Sequence, residues 1–507
     1  MKILDCTLRD GGYYTHWDFD NPMVARYLTI MSQLPIDYIE LGYRSVSQPT
    51  YQGEFYYLPV TTLQRCREYC PNKKLSVMVN VKEIGVDMIE KLLHTCVGYV
   101  DMIRLAIRPD EISKANDLVP IIHNMGFEVG CNIMYMSTWE DVPGIYESLA
   151  ELGKVADCIW MVDSYGGMLP VTIHDVVKKI RKSTDCALGF HGHNNMELSF
   201  ANSLAALEEG VEYIDSTILG MGRGAGNLKT ELLLTYVSLY QKNIPFHLLN
   251  EVIEVFTPML QMYRFGTNLP YMISGTYSLP QKDIMEWMSK RRYSVSTIVQ
   301  TLQARTHNCE NQTFPPVVLP LQKIPLIIGG GNSIVQHLEA IKNYVKAYAD
   351  NLVLIFASSK YLSVFDFVPS SVMRYICLMG SEGLRLERQM GSVRPLDRCI
   401  VNTQVENQNT YVPKAVQEIT YSLPHLIMSE NLKQYADSPL FISLSLSHGH
   451  PTTYLIGFDG YDESVKDGSY DLMHENQVIL DACEGDIVSL LPSKYDNLLQ
   501  QSIYALI

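Results

Sequence analysis

The sequence has no apolar run near the ~20 residues of a membrane span, which excludes an integral helical membrane protein. Its eleven cysteines are scattered without a CxxC pair, so neither a disulfide scaffold nor a zinc ribbon fits. Cys66 and Cys70 are the nearest neighbours and read as half-buried thiols on a helix. Basic residues are in deficit, with 40 Lys+Arg against 55 Asp+Glu and a net charge of −15, so no global cationic field exists to attract nucleic acid. Low-complexity tracts, coiled-coil heptads and short repeats are absent too. What remains is a globular chain of 507 residues, 47% hydrophobic and 19% charged, long enough for two to four domains. The first strand-like run starts at Lys2 with no leader before it, and thiol usage suits a reducing compartment, so the expected location is the cytoplasm.

Up to about residue 240, eight short apolar runs recur: KILDCTL, IDYIELGY, KLSVMVNV, VDMIRLAI, EVGCNIMYM, CIWMVDSYGG, ALGFHGH and YIDSTILGMG. Helix-periodic segments such as PMVARYLTIMSQL and MELSFANSLAALEEG separate them. Unbroken apolar strands alternating with amphipathic helices predict a parallel sheet covered by helices, and eight of them predict an α/β fold of the (β/α)8 TIM-barrel type over 1–245. Polar residues gather where the runs stop: Arg9-Asp10-Gly11-Gly12, Glu40, Asn80, Arg104, Asn132, Asp163, His191-Gly192-His193 and Gly220 to Asn227. Active sites of such barrels form at those strand ends, which makes Arg104, Asn132 and Asp163 candidates for substrate binding. A helical extension with a proline-rich linker, ENQTFPPVVLPLQ, is expected over 246–318. A second, Rossmann-like α/β domain is expected over 319–507, where KIPLIIGGGNS reads strand, glycine loop and helix, and NLVLIFAS reads as the next strand. Further apolar runs follow at MRYICLMG, LFISLSLS and TTYLIGFDG.

His191 and His193 stand two apart at a strand end, so both imidazoles can face the barrel mouth. Asp10 joins them once the barrel closes and the first strand meets the last. Two imidazoles and one carboxylate form a facial site for a divalent ion that leaves positions open to substrate oxygens. An isolated His-x-His is more often a surface pair; its position at a strand end favours the metal. Gly220-Met-Gly222-Arg-Gly224-Ala-Gly-Asn227 exposes backbone N–H groups to an anion, or closes a tight corner with Asn227 capping the next helix. Arg9, beside Asp10, suits stabilisation of an enolate oxygen, and a salt bridge to Glu40 is compatible with that role.

LDCTLRDGG, HGHNN and GMGRGAGN, in that order, resemble the signature of the DRE-TIM metallolyases, a superfamily that includes 4-hydroxy-2-oxovalerate aldolase, hydroxymethylglutaryl-CoA lyase and isopropylmalate synthase. The resemblance implies that Asp10, His191 and His193 bind the ion and that Asn227 approaches it. It also implies an enolate-stabilising role for Arg9 and a strand-two carboxylate at Glu40, with Mn²⁺ or Mg²⁺ as the ion and Zn²⁺ or Co²⁺ as alternatives. The chain departs from the pattern after Arg9-Asp10. Tyr13 takes the place where the acetaldehyde-channelling aldolases carry a histidine, and His16 lies about a helical turn further on. The Gly-Glu-Gln of Claisen-type members is absent, which demotes acyl-CoA chemistry. The function so implied is a divalent-metal-dependent carbon–carbon lyase acting on a small 2-oxo acid, with Tyr13, His16 or water moving the proton. Competing readings are a Claisen-type acyltransferase and a 2-His-1-carboxylate Fe(II) oxygenase.

In the C-terminal region IIGGGNS, YLIGFDGY and LLPSKYDNLLQQSIYAL resemble, more weakly, the domain of 6-hydroxymethylpterin diphosphokinases and motility accessory factors. Gly329-Gly330-Gly331-Asn332-Ser333 then reads as a nest for a phosphate- or nucleotide-bearing ligand, with Lys360 or Arg374 as auxiliary cations. A plain βα turn accounts for the same glycines. The fusion suggests modified-sugar or surface-polysaccharide synthesis, and a homo-oligomer is expected.

Overall fold

The computed structural model describes residues 1–240, 243–289, 295–306, 314–402, 411–423, 432, 435–461, 469–483 and 486–507. The chain divides into two compact units, 1–284 and 285–507.

The first unit is a closed parallel barrel of eight strands in chain order: β1 (Lys2–Asp5), β2 (Tyr38–Tyr43), β3 (Lys74–Asn80), β4 (Met102–Ile107), β5 (Glu128–Ile133), β6 (Cys158–Asp163), β7 (Ala187–Gly192) and β8 (Tyr213–Ser216). Each lies in one of the eight apolar runs. Closure is made by β1 on β8, with Lys2 opposite Tyr213 and Asp5 opposite Ser216. Because neighbouring side chains point to opposite faces of a strand, Ile103, Leu105 and Ile107 of β4 pack under the helices while Met102 and Arg104 point inward. Helices between strands bury one stripe: Pro170–Arg181 buries Ile173, Val176, Val177 and Ile180 and carries Lys178, Lys179 and Arg181 in its last turn, which suits the dipole there. Residues 246–284 belong to the same unit. The helix Phe246–Tyr263 packs on α2 (Asn21–Met31), with Tyr27 edge-on to Phe256 at 5.4 Å, and Asn195 Nδ2 donates to the Tyr271 carbonyl at 2.9 Å.

One element departs from the sequence reading here. Strand β1 ends at Asp5, and Arg9 and Asp10 lie on a following helix, α1 (Thr7–Thr15), not on the strand. The cause is local. The Asp5 carboxylate accepts from Thr7 N at 3.0 Å and from the Thr7 hydroxyl at 2.6 Å, turning the backbone into the helix.

The second unit carries an all-parallel sheet of eight strands: β9 (Ile324–Ile328), β10 (Leu352–Phe356), β11 (Met373–Cys377), β12 (Arg398–Val401), β13 (Thr420–Ser422), β14 (Thr452–Ile456), β15 (Asp486–Ser489) and β16 (Leu499–Gln500). Their spatial order is 13-12-11-10-9-14-15-16. The run LFISLSLS forms a helix, Pro439–Leu446, buried on nearly every side. Part of the linker motif, 310–313, lies outside the described residues.

Candidate active site

The α1 turn, the end of β7 and the glycine loop after β8 converge at the C-terminal mouth of the barrel. Asp10, His191 and His193 offer ligand atoms that all lie within 4.8 Å of one another. His191 Nε2 stands 3.8 Å from Asp10 Oδ2, and the two imidazole rings are 4.9 Å apart, edge to face. Asn227 Nδ2 donates a short bond to Asp10 Oδ2, while its Oδ1 is buried with no hydrogen-bond partner. Gly222 lets these groups meet: a Cβ there would sit 2.5 Å from Asn227 Nδ2 and 2.6 Å from Asp10 Oδ2.

Beneath this cluster lies a buried polar network contributed by α1 and six strands. Arg9 donates from Nε to Glu40 Oε2 and from Nη1 to Asp10 Oδ1, both at 2.6 Å. Arg104, with no exposed surface, donates to Glu40 Oε1 at 3.1 Å, to Asp215 Oδ2 at 2.6 Å and to Asn132 Oδ1 at 3.0 Å. Asp215 also receives Trp160 Nε1 at 2.9 Å and faces His191 Nδ1 at 2.9 Å. The ring of Trp160 lies under the Arg104 guanidinium at 4.3 Å and fills the barrel interior. Glycines on both flanking strands make room for it, since a Cβ at Gly130 or Gly189 would lie 2.5 or 2.4 Å from the indole.

Electrostatics follow from burial and pairing. Burial opposes ionisation of Asp10, yet Arg9 and then the two histidines hold its carboxyl well below the ordinary range. Burial likewise opposes ionisation of Asp215, and Arg104 with His191 holds it ionised. His193 is pushed down to about 3, first by burial and then by His191, so its ring is neutral at neutral pH; its Nδ1 bonds the Asp163 carbonyl at 2.9 Å. Asp163 is pushed up to about 6 by burial, against the backbone N–H groups of the turn it organises.

The structure therefore brings Arg9, Asp10, Glu40, His191, His193, Asn227 and Gly222 together. Arg104 and Asn132 lie beneath them as buried partners of other side chains; Arg104 is inside β4 and not at its end. Asp163 spends its carboxylate on Gly166 N and Met168 N, closing a turn. Gly224 has φ +65° and leaves room for Gln281, whose Oε1 a Cβ would meet at 1.9 Å. Tyr13 is half-buried, its hydroxyl 3.2 Å from that of Tyr43 and its ring 5.5 Å from the Arg223 guanidinium. His16 is exposed and ends α1 in the left-handed region at φ 55°. In the second unit, Ser333 N donates to Asp459 Oδ2 at 2.9 Å and the Ser333 hydroxyl bonds the same carboxylate, so the last residue of the expected nest is already bonded within the chain. Arg374 is fully buried and committed to Asp397. Sequence reasoning missed Asp215 and Trp160; the available signal was a carboxylate in the apolar run YIDST, which needs buried partners.

The donor set suits a divalent cation. A carboxylate held ionised, a neutral imidazole and the unpartnered Asn227 oxygen converge, and His191 is oriented through its other nitrogen by Asp215, as ligating histidines commonly are. Fold and site define a TIM-barrel metallolyase, with a mouth able to hold a divalent metal. The chain belongs to the HMGL-like family, whose model matches residues 1–254. It is 27% identical over 238 residues to an oxaloacetate decarboxylase of Mycobacterium tuberculosis, covering 46% of this chain and 68% of that one. It is 26% identical over 270 residues to a 4-hydroxy-2-oxovalerate aldolase of Bacillus cereus, covering 51% and 77%. A crystal structure of an N-terminal domain from Bacteroides vulgatus is 47% identical, with a TM-score of 0.56, covering 59% of this chain and 99% of that one. The carboxyl transferase domain of Rhizobium etli pyruvate carboxylase shares the fold at 16% identity and a TM-score of 0.50, covering 60% and 56%. No helix among the described residues is long and apolar enough to cross a membrane.

Proposed function

We propose that the barrel is a carbon–carbon lyase that cleaves a 4-hydroxy-2-oxo acid to pyruvate and an aldehyde, or runs the reverse aldol addition. The observation that carries this reading is the contact of Arg9 with Asp10, which sets a guanidinium beside three metal-ligand side chains. Asp10, His191 and His193 would hold the cation, with Asn227 as a fourth contact. When bound, a divalent cation supplies Lewis-acid polarisation of a 2-oxo carbonyl. The chain's own groups do the rest. Arg9 has Nε and Nη1 committed to Glu40 and Asp10, and its Nη2 donates to the oxygen on which enolate charge develops. Glu40 fixes that guanidinium from below.

Tyr13 moves the proton on the substrate hydroxyl, with the Tyr43 hydroxyl as its relay partner. His16 is exposed at the end of α1, and Tyr13 is the better-placed group. The same enolate would arise from decarboxylation of oxaloacetate, the activity named for one relative, and this is the second reading. A screen for pyruvate release from 4-hydroxy-2-oxo acids and from oxaloacetate, with Mn²⁺ or Mg²⁺ and after chelation, separates the two. Release from the hydroxy acids that is lost on chelation supports the lyase. Metal-dependent release from oxaloacetate alone supports the decarboxylase, and release from neither rejects both. A place in modified-sugar or surface-polysaccharide synthesis, the cytoplasmic location and a homo-oligomer remain part of the proposal.

A further inference from the structure

The second unit holds a crevice with a chemistry of its own. From β9 the chain steps outward through β10 to β13, then returns to the other side of β9 as β14. The order reverses between β9 and β14, and in open parallel sheets the loops at the carboxyl ends of two such strands part to leave a ligand crevice. A cavity of about 550 Å³ lies there, within the size range of small-molecule sites. Its wall comes from the turns after β9, β10, β11 and β14, all within this one unit.

The lining sorts by charge. Two carboxylates sit on the turns: Asp459 holds the Ser333 amide and hydroxyl, and Glu382 holds the Ser359 amide at 2.6 Å and its hydroxyl at 2.7 Å. Gly331 is required to seat the first, because a Cβ there would lie 2.3 Å from Asp459 Oδ1. The Ser333 and Ser359 amides are thus already bonded to carboxylates, and those carboxylates can accept further hydrogen bonds. Two cations stand nearer solvent: Lys360, exposed, with Nζ on the Gly330 carbonyl at 2.9 Å, and Arg385, half-exposed, on Glu382 and on Ser358 Oγ at 3.0 Å. Carboxylate acceptors and cations thus line one crevice side by side, with Arg385 paired to Glu382, and such a mixed lining matches a molecule that carries both hydroxyl donors and an anion.

We propose that this crevice binds a phosphorylated sugar, free or as part of a nucleotide, with its hydroxyls donating to Asp459 and Glu382 and its phosphate paired with Lys360 and Arg385. The site is built by the second unit and does not depend on the lyase reading. Isothermal titration of the full chain with ribose 5-phosphate, uridine 5′-monophosphate, ribose and inorganic phosphate tests it. Ribose 5-phosphate should bind at least tenfold more tightly than ribose or phosphate, because neither half engages both the carboxylates and the cations. Asp459→Asn and Lys360→Ala should each weaken it on the order of tenfold, as expected for loss of a charged hydrogen-bond partner. Lys360 is exposed, so its substitution reports on binding even if Asp459→Asn disturbs folding. Tighter binding of the nucleotide assigns a nucleotide source; equal or weaker binding assigns a free sugar phosphate. No binding by either phosphorylated compound overturns the proposal. So does inorganic phosphate that matches ribose 5-phosphate, or affinity that Lys360→Ala leaves unchanged.

Discussion

Replacing Asp215 by asparagine tests the buried network at its most connected point. All three of its neighbours present N–H groups: Arg104 at 2.6 Å, Trp160 at 2.9 Å and His191 Nδ1 at 2.9 Å. Asparagine keeps the shape but has only one acceptor oxygen. If that oxygen stays on Arg104 and His191, the new NH2 group opposes the indole N–H, and a buried donor left unpaired costs roughly 1–3 kcal/mol. Arg104 also loses one of its two carboxylates. Breaking a buried pair costs about 3–5 kcal/mol, and Glu40 retains part of the pairing, so the lower end, about 3 kcal/mol, is expected. The second effect is on His191, whose Nδ1 partner orients Nε2 toward Asp10. Loss of such a partner lowers metal affinity by about 10–100-fold. Urea unfolding followed by tryptophan fluorescence reads the first effect, since Trp17, Trp139 and Trp160 all lie in the barrel unit. Calorimetric titration with Mn²⁺ reads the second. A variant within ~0.5 kcal/mol of the parent, the range of a neutral surface change, and with undiminished Mn²⁺ affinity would refute the network as a determinant of either.

Three further outcomes are expected. Arg9→Ala should lower kcat by about 10²–10³ while Mn²⁺ still binds, and steady-state kinetics beside a titration would expose an error if turnover were unchanged. Gly189→Ala should destabilise the barrel by about 1–3 kcal/mol through overpacking against the indole, and should do so less in a Trp160→Phe background, as a double-mutant cycle of urea midpoints will show. In metal-free protein the fold keeps His193 neutral down to about pH 3, whereas the unfolded chain takes up a proton below the ordinary value near 6.5. The unfolded state thus binds more protons in that window, so this contribution is full above pH 6.5 and is lost on acidification at ~1.4 kcal/mol per pH unit. A His193→Gln variant should lose stability less steeply between pH 6.5 and 5.5, and equal slopes would contradict the assignment.

The barrel was legible because each strand is buried on both faces and so reads as an unbroken apolar run that stops at a polar residue. The grouping of His191, His193 and Asp10 was legible for the same reason, as all three stand where apolar runs break. The helix under Asp10 was not. KILDCTL stays strand-like through Leu8, and the turn depends on a buried carboxylate, Asp5, bonding Thr7 and the Tyr27 hydroxyl far along the chain. Arg104 was placed at the mouth because charge in a strand suggests a strand end; its partners Glu40 and Asp215 lie 64 and 111 residues away, and nothing local pairs them with it. The need for glycine at 331 was not legible either, because the group it makes room for, Asp459, lies 128 residues further on. Leu440 to Ser447 alternates like a strand, yet Pro439 in the first turn and burial all round make it a core helix.

The seam of the barrel has a consequence for assembly. Strands β1 and β8 are four residues each, the shortest in the cylinder, and their pairing makes the last join. Asp10 follows the first of these strands, Asn227 follows the second, and the two meet across 217 residues of chain. A cation held at the mouth would therefore clasp the start of the barrel to its end. Its binding would register completed closure, since a chain lacking its last strand holds only part of the ligand set.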